Sequence, residues 1–295
     1  MSTQATVHDR WVHAAQWTAA PAIAAGWSGR RVLITLPSSH FCEKARWALD
    51  HAGLSYRELG FAPGVHKAAV RTQGSRTVPI LVGKQTLRQS SDIVRFASSA
   101  APPGRRLYPA EADARREIED VVARLDETLG PQARLWFYCW AVADPRRLDD
   151  WASRGLGRQQ RLLVRVLSRR MAILIADSLS ITERTGDEAR ELIDAELDRV
   201  SATLADGRRY IGGDGFSAAD LTFAALAGPL VYPPGYGGAR FSLPPMPDEL
   251  APQISAWRTT LAGQLALRVY RDHRAAAAAP REVGSRAAPS SSAIE

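Results

Sequence analysis

Cysteine is scarce in this chain. Its 295 residues include two cysteines, Cys42 and Cys139. Two thiols cannot provide the set of cross-links that stabilises small secreted domains, which excludes a disulfide framework. Free cysteines are typical of a reducing compartment, so the sequence predicts a cytoplasmic protein.

Long hydrophobic runs are also missing. The longest uncharged apolar segments, such as 224–234, contain about a dozen residues and include helix breakers. A membrane-spanning helix needs roughly 20 apolar residues, so no span is expected. The first 29 residues lack a basic segment followed by a continuous apolar core, and we therefore expect no secretory signal.

Positive charge is present but is not clustered. The formal net charge is +7, and 45% of the residues are hydrophobic, which excludes global disorder. Paired arginines are scattered along the chain and mostly alternate with acidic residues, as at Arg105-Arg106, Arg146-Arg147 and Arg208-Arg209. This pattern indicates solvated helix faces and predicts no nucleic-acid partner. The net charge can still attract anionic small molecules.

The chain first shows a strand and then a capped helix. Residues 31–36 (RVLITL) form a short β-branched run of the kind found in buried strands. The apolar residues that follow recur at helical spacing from Phe41 to Ala52, with Ser39 before them and Gly53 after them. The pattern predicts an amphipathic helix with a polar N-cap and a glycine stop.

Strand signals continue to about residue 100. Further strands are expected at 54–59, 77–82 and 84–88, followed by a helix at 89–99. A stretch without a clear pattern separates the strand at 54–59 from the strand at 77–82. Gly83 separates two of the strands as a tight hairpin would. Residues 30–100 therefore predict an α/β domain with a small mixed sheet.

Beyond this domain the strand signals vanish. Residues 101–110 form a linker rich in proline and glycine, and residues 111–274 show helical spacing that predicts an all-helical domain. Its helices are expected near 118–129, 162–179, 192–204, 217–226 and 254–269. Residues 1–29 form an N-terminal extension, and the low-complexity residues 275–295 are expected to be a disordered tail.

The first strand-to-helix turn, PSSHFCEKARWAL, carries the first candidate chemistry. A helix N-terminus stabilises a nucleophile in its charged form. Ser39 and Cys42 have the spacing of a thiol-redox motif whose first cysteine is replaced by serine. Equally, Ser39 can serve only as the helix cap and Cys42 as a small buried hydrophobe.

Two later segments add binding features. A proline at the start of a strand, as in Val78-Pro79, is tolerated in a special geometry such as a cis peptide bond. That geometry leaves the backbone of Val78 free to pair with an extended, peptide-like ligand. Gln89 and Ser90 open a helix whose free N–H groups suit a carboxylate, although Ser90 can also be an ordinary cap.

Four motifs in this order carry a family resemblance. They are PSSHFCEKARWALDHAGLSYRE, SRTVPIL, RQSSDIVRF and GDGFSAADLTFAAL. The first three resemble the thioredoxin-like N-terminal domain of cytosolic glutathione S-transferases. The fourth, with Ser217 and Asp220 in a capping box, resembles the buried helix of that family's helical domain. The resemblance extends over residues 31–274.

The resemblance implies a fold and a set of roles. It implies a thioredoxin-like N-terminal domain followed by a helical-bundle C-terminal domain, with glutathione as co-substrate and a two-fold homodimer. Ser39 matches the catalytic position whose hydroxyl stabilises the glutathione thiolate. Val78 matches the backbone contact to the cysteinyl part of glutathione, and Pro79 matches the cis-proline. Gln89 and Ser90 match the pair that holds the γ-glutamyl group.

Some residues depart from the family pattern. His40 stands where the family often has proline, and it is a candidate general base or a plain helix-start histidine. Gln89 replaces a commoner acidic residue. The span 130–185 is longer than a minimal helical domain needs. Its aromatic residues line an electrophile pocket or fill the core, and they are Trp136, Phe137, Tyr138 and Trp140.

These features predict an enzyme that activates glutathione as a thiolate for attack on a small hydrophobic electrophile, with Ser39 and His40 as the catalytic candidates. Glutathione-dependent isomerisation, dehalogenation or ether cleavage would begin from the same thiolate. A non-catalytic ligand-binding or scaffold protein of the same fold is a second interpretation. A thiol-disulfide reductase working through Cys42 is a third. No metal site is predicted.

Overall fold

A computed structural model describes residues 31–274. The predicted extension at 1–29 and the predicted tail at 275–295 lie outside the described residues. Within them, a small αβ unit is followed by a helical domain, so the chain has a thioredoxin-like N-terminal domain and a helical C-terminal domain.

The sheet has three strands. They are β1 (Val32–Thr35), β2 (Arg57–Gly60) and β3 (Ile80–Val82), in the order β2-β1-β3. Strand β1 is completely buried; it pairs in parallel with β2 and antiparallel with β3. Three helices accompany the sheet, namely α1 (His40–His51), α2 (His66–Arg71) and α3 (Ser90–Ala100). The parallel pair requires a crossover, which α1 provides.

In this domain, several strands and helices differ from the predicted ones. The strand expected at 54–59 begins at Arg57, because α1 ends in a turn at Gly53, whose φ is +69°. The strand expected at 84–88 is wrong: a single bridge between Leu81 and Leu87 takes its place. Lys84 and Gln85 are exposed, so a strand at this position would bury little apolar surface and is not stabilised by packing. The loose stretch before β3 contains α2.

Eight helices follow the linker in the described chain. They are α4 (Ala112–Glu127), α5 (Leu129–Ala143), α6 (Pro145–Ser153), α7 (Arg158–Ser178), α8 (Thr185–Leu204), α9 (Ala218–Val231), α10 (Ala251–Thr259) and α11 (Leu261–Val269). A π-helical turn, Tyr270–Arg274, ends the described residues. The span 130–185, which is longer than a minimal helical domain needs, thus contains most of α5 and the helices α6 and α7.

The helix expected at 254–269 is two helices, so that prediction is wrong. Thr260 interrupts it with extended backbone (ψ 156°), and its hydroxyl accepts a hydrogen bond from the Gly263 N–H at 3.0 Å. A Cβ on Gly263 would lie 2.0 Å from the Trp257 carbonyl oxygen, so only glycine fits this close approach. A local cap therefore overrides the continuous apolar spacing.

Helix α9 is the centre of the molecule. All of its residues are buried, and it contacts α1, α4, α5 and α11. Its start is fixed by Asp220, which accepts hydrogen bonds from the backbone N–H of Ser217 at 3.0 Å and of Ile211 at 2.8 Å. The capping box predicted from Ser217 and Asp220 is present. Because α9 touches both domains, it fixes their relative position.

A buried ionic network also joins the domains. Arg274, the last described residue, pairs with Glu43 at 2.6 Å and with Asp50 at 2.9 Å, both on α1. Arg46 pairs with Glu43 at 2.5 Å and with Glu58 on β2 at 2.7 Å. Burial alone would lower the pKa of Arg46, but the Glu58 and Glu43 carboxylates raise it well above its ordinary value. The end of the helical domain is thus tied to the first helix.

No helix among residues 31–274 combines the length and the apolar character that a membrane crossing requires.

Candidate functional site

The sheet topology brings two of the predicted motifs to one edge. Ile34 of β1 pairs with Ile80 of β3 in the antiparallel register. The turn that follows β1 therefore lies beside the residues that precede β3. That turn contains Ser39, and the residues before β3 are Val78 and Pro79, joined by a cis peptide bond.

Ser39 is the N-cap of α1. Its backbone is extended, and its Oγ accepts a hydrogen bond from the Cys42 N–H at 3.4 Å. A serine hydroxyl has one hydrogen to donate and two lone pairs to accept with. The capping bond uses a lone pair only, so the hydroxyl hydrogen remains available to a group in front of the helix. Ser39 can therefore cap the helix and donate to a ligand at the same time.

The thiol of Cys42 is poorly suited to act as a nucleophile. Its side chain is completely buried, and burial raises the pKa of its thiol to about 11. A thiol with such a pKa is almost entirely protonated at neutral pH, and the thiolate is the reactive form. This geometry matches the interpretation of Cys42 as a small buried hydrophobe.

His40 connects the two domains. Its side chain is buried, and its Nε2 donates a hydrogen bond to the Gly130 carbonyl on α5 at 2.9 Å. Burial, with a smaller contribution from the Arg134 charge, lowers the pKa of His40 to about 3. The ring is therefore neutral at physiological pH, and it is a weak base.

A second hydrogen bond holds the same turn from the other side. The Tyr236 hydroxyl, in the segment after α9, donates to the Ser38 carbonyl at 2.8 Å. Tyr236 is itself packed against Gly228, where a Cβ would lie 2.3 Å from its ring. Ser39 thus lies between two residues that the helical domain fixes in place.

A cavity of about 130 Å³ opens in front of this turn, between the domains. The thioredoxin-like domain contributes Ser38, Ser39, His40, Phe41, His66, Arg76, Thr77 and Val78 to its wall, among others. The helical domain contributes Arg134, Phe137, Tyr138, Trp151 and Pro229. Ser39 and Val78, far apart in sequence, therefore face one space.

The predicted aromatic wall is formed in part. Phe137 and Tyr138 line the cavity. Trp136 instead packs edge-on against Trp257 in the core, and Trp140 packs against Phe137 and Arg147. Trp151, which the sequence did not single out, also lines the cavity, and its ring is tilted against that of Phe137 with 4.2 Å between the ring centroids.

The cavity wall is basic. Arg76 and Arg134 line it, and no aspartate or glutamate among residues 31–274 does. His66 is a further lining residue, and burial lowers its pKa to about 4, so it adds no charge at neutral pH. An anion entering this cavity meets only positive or neutral groups.

Gln89 and Ser90 lie outside this cavity, at the start of α3. Gln89 is the N-cap, with extended backbone, and no side chain caps the first turn. Gln89 is exposed and Ser90 is buried. An uncapped helix start next to an exposed amide retains the N–H groups that a carboxylate can accept from.

A partly buried polar cluster supports this helix start. Lys44 Nζ on α1 lies 2.7 Å from both carboxylate oxygens of Asp126 on α4 and 3.1 Å from Ser91 Oγ. Ser91 also donates a short hydrogen bond to Asp126. The cluster joins α1, α3 and α4 directly beside Ser90.

Comparison with known families identifies the chain. A family model described as the glutathione S-transferase N-terminal domain matches residues 33–105, and one described as the glutathione S-transferase C-terminal domain matches residues 182–260. Together they cover more than half of the chain. The chain belongs to the glutathione S-transferase family. No curated protein matches it.

Solved structures of glutathione transferases share the fold. A glutathione transferase from Burkholderia graminis, solved with two glutathione molecules bound per subunit, is 15% identical with a TM-score of 0.55. The match covers 94% of this chain and 96% of that one. A glutathione S-transferase from Xanthobacter autotrophicus Py2 is 18% identical with a TM-score of 0.51, covering 81% and 92%. At these identities the likeness establishes the fold alone.

In this glutathione S-transferase chain, some residues at the candidate site were not singled out from the sequence. Arg134 and Trp151 line the cavity, Tyr236 holds the turn before α1, and Lys44 pairs with Asp126 beside the start of α3. Tyr236 and Ser38 are 198 residues apart, so no local motif records their contact. Arg134 falls in the aromatic segment ARLWFYCWAV, but only the packing of α5 against α1 shows which of its residues face the cavity.

Proposed function

We propose that this glutathione S-transferase family member binds glutathione and activates it as a thiolate for transfer to a small electrophile. The observation that carries the proposal is the position of Ser39. Its hydroxyl stands at a helix N-terminus and keeps a free hydrogen. It shares a cavity with Val78, whose peptide bond to Pro79 is cis.

The energetic demand on such a site is modest. A free thiol has a pKa near 8.5, so ionising it at neutral pH costs roughly 2 kcal/mol. A hydrogen bond from a hydroxyl to a charged acceptor contributes about 1.5–3 kcal/mol. The positive end of α1 and the basic cavity wall act in the same direction. Ser39 and its surroundings can therefore hold glutathione as its thiolate.

Each part of the glutathione tripeptide has a proposed contact in the site. The Val78 backbone would pair with its cysteinyl part, which places the sulfur near Ser39. The start of α3, with Gln89 and Ser90, would hold the γ-glutamyl carboxylate and ammonium groups. The thiolate then attacks an electrophile in the aromatic part of the cavity. Its sulfur forms the new bond while the leaving group departs with the bonding electrons.

In this proposal His40 is a positioning residue. A general base needs a pKa near the working pH, whereas that of His40 is about 3, and its Nε2 hydrogen is committed to Gly130. The contact fixes the start of α1 against α5. The high pKa of buried Cys42 likewise argues against thiol exchange through the protein's own sulfur.

Glutathione binding is the direct test of the proposal. A ligand that binds only the folded state raises the melting temperature, by an amount that grows with its concentration. We expect millimolar glutathione to raise the melting temperature and to give a calorimetric heat of binding. Substitution of Gln89 by Ala should weaken that binding, whereas substitution of the exposed Gln85 should not. Absence of both the shift and the heat would refute the proposal.

A two-fold homodimer in the cytoplasm remains part of the proposal, on the basis of family membership. Light scattering at micromolar concentration should give twice the 32.1 kDa mass of one chain. A monomer mass would contradict the dimer and leave the fold unaffected.

A further inference from the structure

Arg134 is the cation of the helical domain that faces the candidate site. It lies on α5 one turn after Gly130, which accepts the His40 hydrogen bond, and one turn before Phe137 and Tyr138. Residues three and four apart share one face of a helix, so these side chains form a continuous strip along α5. Arg134, Phe137 and Tyr138 of that strip form part of the helical-domain wall of the cavity in front of Ser39.

Arg134 has no acidic partner within residues 31–274. Arginines on adjoining helices are paired: Arg124 with Glu196 at 3.0 Å, Arg147 with Glu249 at 2.5 Å and Arg154 with Asp150 at 2.9 Å. Among the described residues, the wall of the cavity contains no carboxylate. Arg134, which is exposed, therefore presents to whatever occupies the cavity a guanidinium that no described carboxylate compensates.

Aromatic side chains line part of the same cavity as Arg134. Phe41, Phe137 and Trp151 line the same space, which suits a flat, unsaturated body. His40 and Tyr138, which line the same cavity, both lie within reach of the Arg134 charge: burial lowers the pKa of His40 and Arg134 lowers it further, and burial raises the pKa of Tyr138 while Arg134 opposes that rise. The cation is therefore close to both the start of α1 and the aromatic part of the wall.

We propose that the electrophile is an aromatic anion, a ring that bears a carboxylate, and that Arg134 binds its carboxylate. The inference rests on the proposed transferase function and adds the substrate class. A guanidinium binds a carboxylate through two parallel N–H bonds, so it would fix the orientation of the ring as well as its charge. Arg76, the other arginine of the cavity wall, belongs to the thioredoxin-like domain and stands two residues before Val78, which is the proposed backbone contact to glutathione.

A matched pair of electrophiles tests the substrate class. The probes are 4-chloro-3-nitrobenzoate and its neutral isostere 4-chloro-3-nitrobenzamide. Glutathione loses its thiol proton to solvent, its sulfur bonds to the ring carbon, and chloride leaves with the bonding electron pair. For each probe kcat/KM is compared between the wild type and Arg134→Gln, so the different intrinsic reactivities of the rings cancel.

We expect Arg134→Gln to lower kcat/KM for the benzoate about tenfold to a hundredfold, the value of a hydrogen bond to a charged group. The benzamide value should change less than about twofold. Arg134→Lys keeps the charge without the paired N–H bonds and should recover part of the loss. Arg169→Gln, at an exposed position of α7, should change neither value.

Two kinetic results would overturn the inference. An equal loss for both probes would mean that Arg134 acts on the glutathione thiolate or on the fold. An unchanged benzoate rate would mean that the carboxylate does not reach Arg134.

A binding measurement separates failure of the inference from failure of the proposed function. Trp151 lines the cavity, so nitroaromatic binding quenches its fluorescence. If neither probe is turned over, tighter binding of the benzoate than of the benzamide, lost in Arg134→Gln, would support the anion site without transferase activity. Equal binding of the two probes would refute it.

Discussion

Ser39 caps α1, and in the proposed function the same hydroxyl group also stabilises the glutathione thiolate. As the N-cap of α1 it accepts a hydrogen bond from the Cys42 N–H, and it retains its hydrogen for a ligand. The neighbouring side chains are not equivalent to it. Cys42 is buried and protonated, and His40 is buried and neutral. At the residue scale, burial therefore decides which of three adjacent polar groups can do chemistry.

The buried state of His40 predicts a pH dependence of stability. The unfolded chain binds a proton at this side chain below about pH 6.5, whereas the folded chain does so only near pH 3. Unfolding therefore takes up a proton in this range. Each such histidine lowers the free energy of unfolding by about 1.4 kcal/mol per pH unit as the pH falls.

Urea denaturation between pH 6 and pH 4 measures this effect. His40→Gln has an amide that can still donate to Gly130, but it has no titrating ring. We expect its free energy of unfolding to fall less steeply with decreasing pH than that of the wild type, by the slope that one proton contributes. His51 and His66 contribute the same background to both proteins, because burial lowers the pKa of each to about 4. Equal slopes for the two proteins would show that His40 titrates normally.

At the element scale, the contact between α1 and α5 aligns the site. Gly130 accepts the hydrogen bond from His40, and the absence of a Cβ leaves room for the Phe41 ring. A Cβ at this position would lie 2.4 Å from that ring. The junction that positions Ser39 therefore depends on a glycine in the first turn of α5, where a Cβ would not fit.

Substitution of this glycine should be costly. We expect Gly130→Ala to lower the free energy of unfolding by about 1–3 kcal/mol, as overpacking does, despite the better helix propensity of alanine. Phe41→Leu in the same chain should restore part of the loss. Gly104→Ala, where a Cβ meets nothing within 4 Å, is the control. Denaturation curves in which Gly130→Ala and Gly104→Ala coincide would contradict the packing argument.

The elements differ in how far local sequence specifies them. Helix α1 and strand β3 could be predicted, because a polar cap, a glycine stop and a β-branched run are local signals. The break at Thr260 could not, because the apolar spacing continues through it and only the hydroxyl bond to Gly263 ends the helix. The segment of α5 has aromatic residues on every side, so its spacing does not show which face meets α1.

At the scale of the whole molecule, the two domains form one unit. The contacts of α9 with both domains, the Tyr236 hydrogen bond to Ser38 and the Arg274 network all connect distant segments. Arg274 and Glu43 are 231 residues apart. Such pairs leave no pattern in the sequence, which is why the helical side of the cavity could be predicted only in part: Phe137 and Tyr138 were candidates, whereas Arg134 and Trp151 were not.

The Arg274 network predicts a large stability effect at the end of the described chain. Arg274→Met leaves Glu43 and Asp50 buried with one cation fewer, and removing one partner of a buried ion pair costs about 3–5 kcal/mol. We expect that loss in the free energy of unfolding. Arg271→Met, at an exposed ion pair with Asp272, should leave it unchanged. Similar losses in the two variants would show that the network is not a special link between the domains.

The most direct test of the account is the pKa of the glutathione thiol bound to the protein, read from the ultraviolet absorbance of the thiolate. If Ser39 donates its hydrogen to the sulfur, Ser39→Ala should raise that pKa by about one to two units, equivalent to about 1.5–3 kcal/mol, and slow conjugation in proportion. Cys42→Ala should leave the pKa unchanged. The opposite result, with activity lost in Cys42→Ala and both rate and pKa unchanged in Ser39→Ala, would show that Ser39 is only a helix cap and that the working sulfur belongs to the protein.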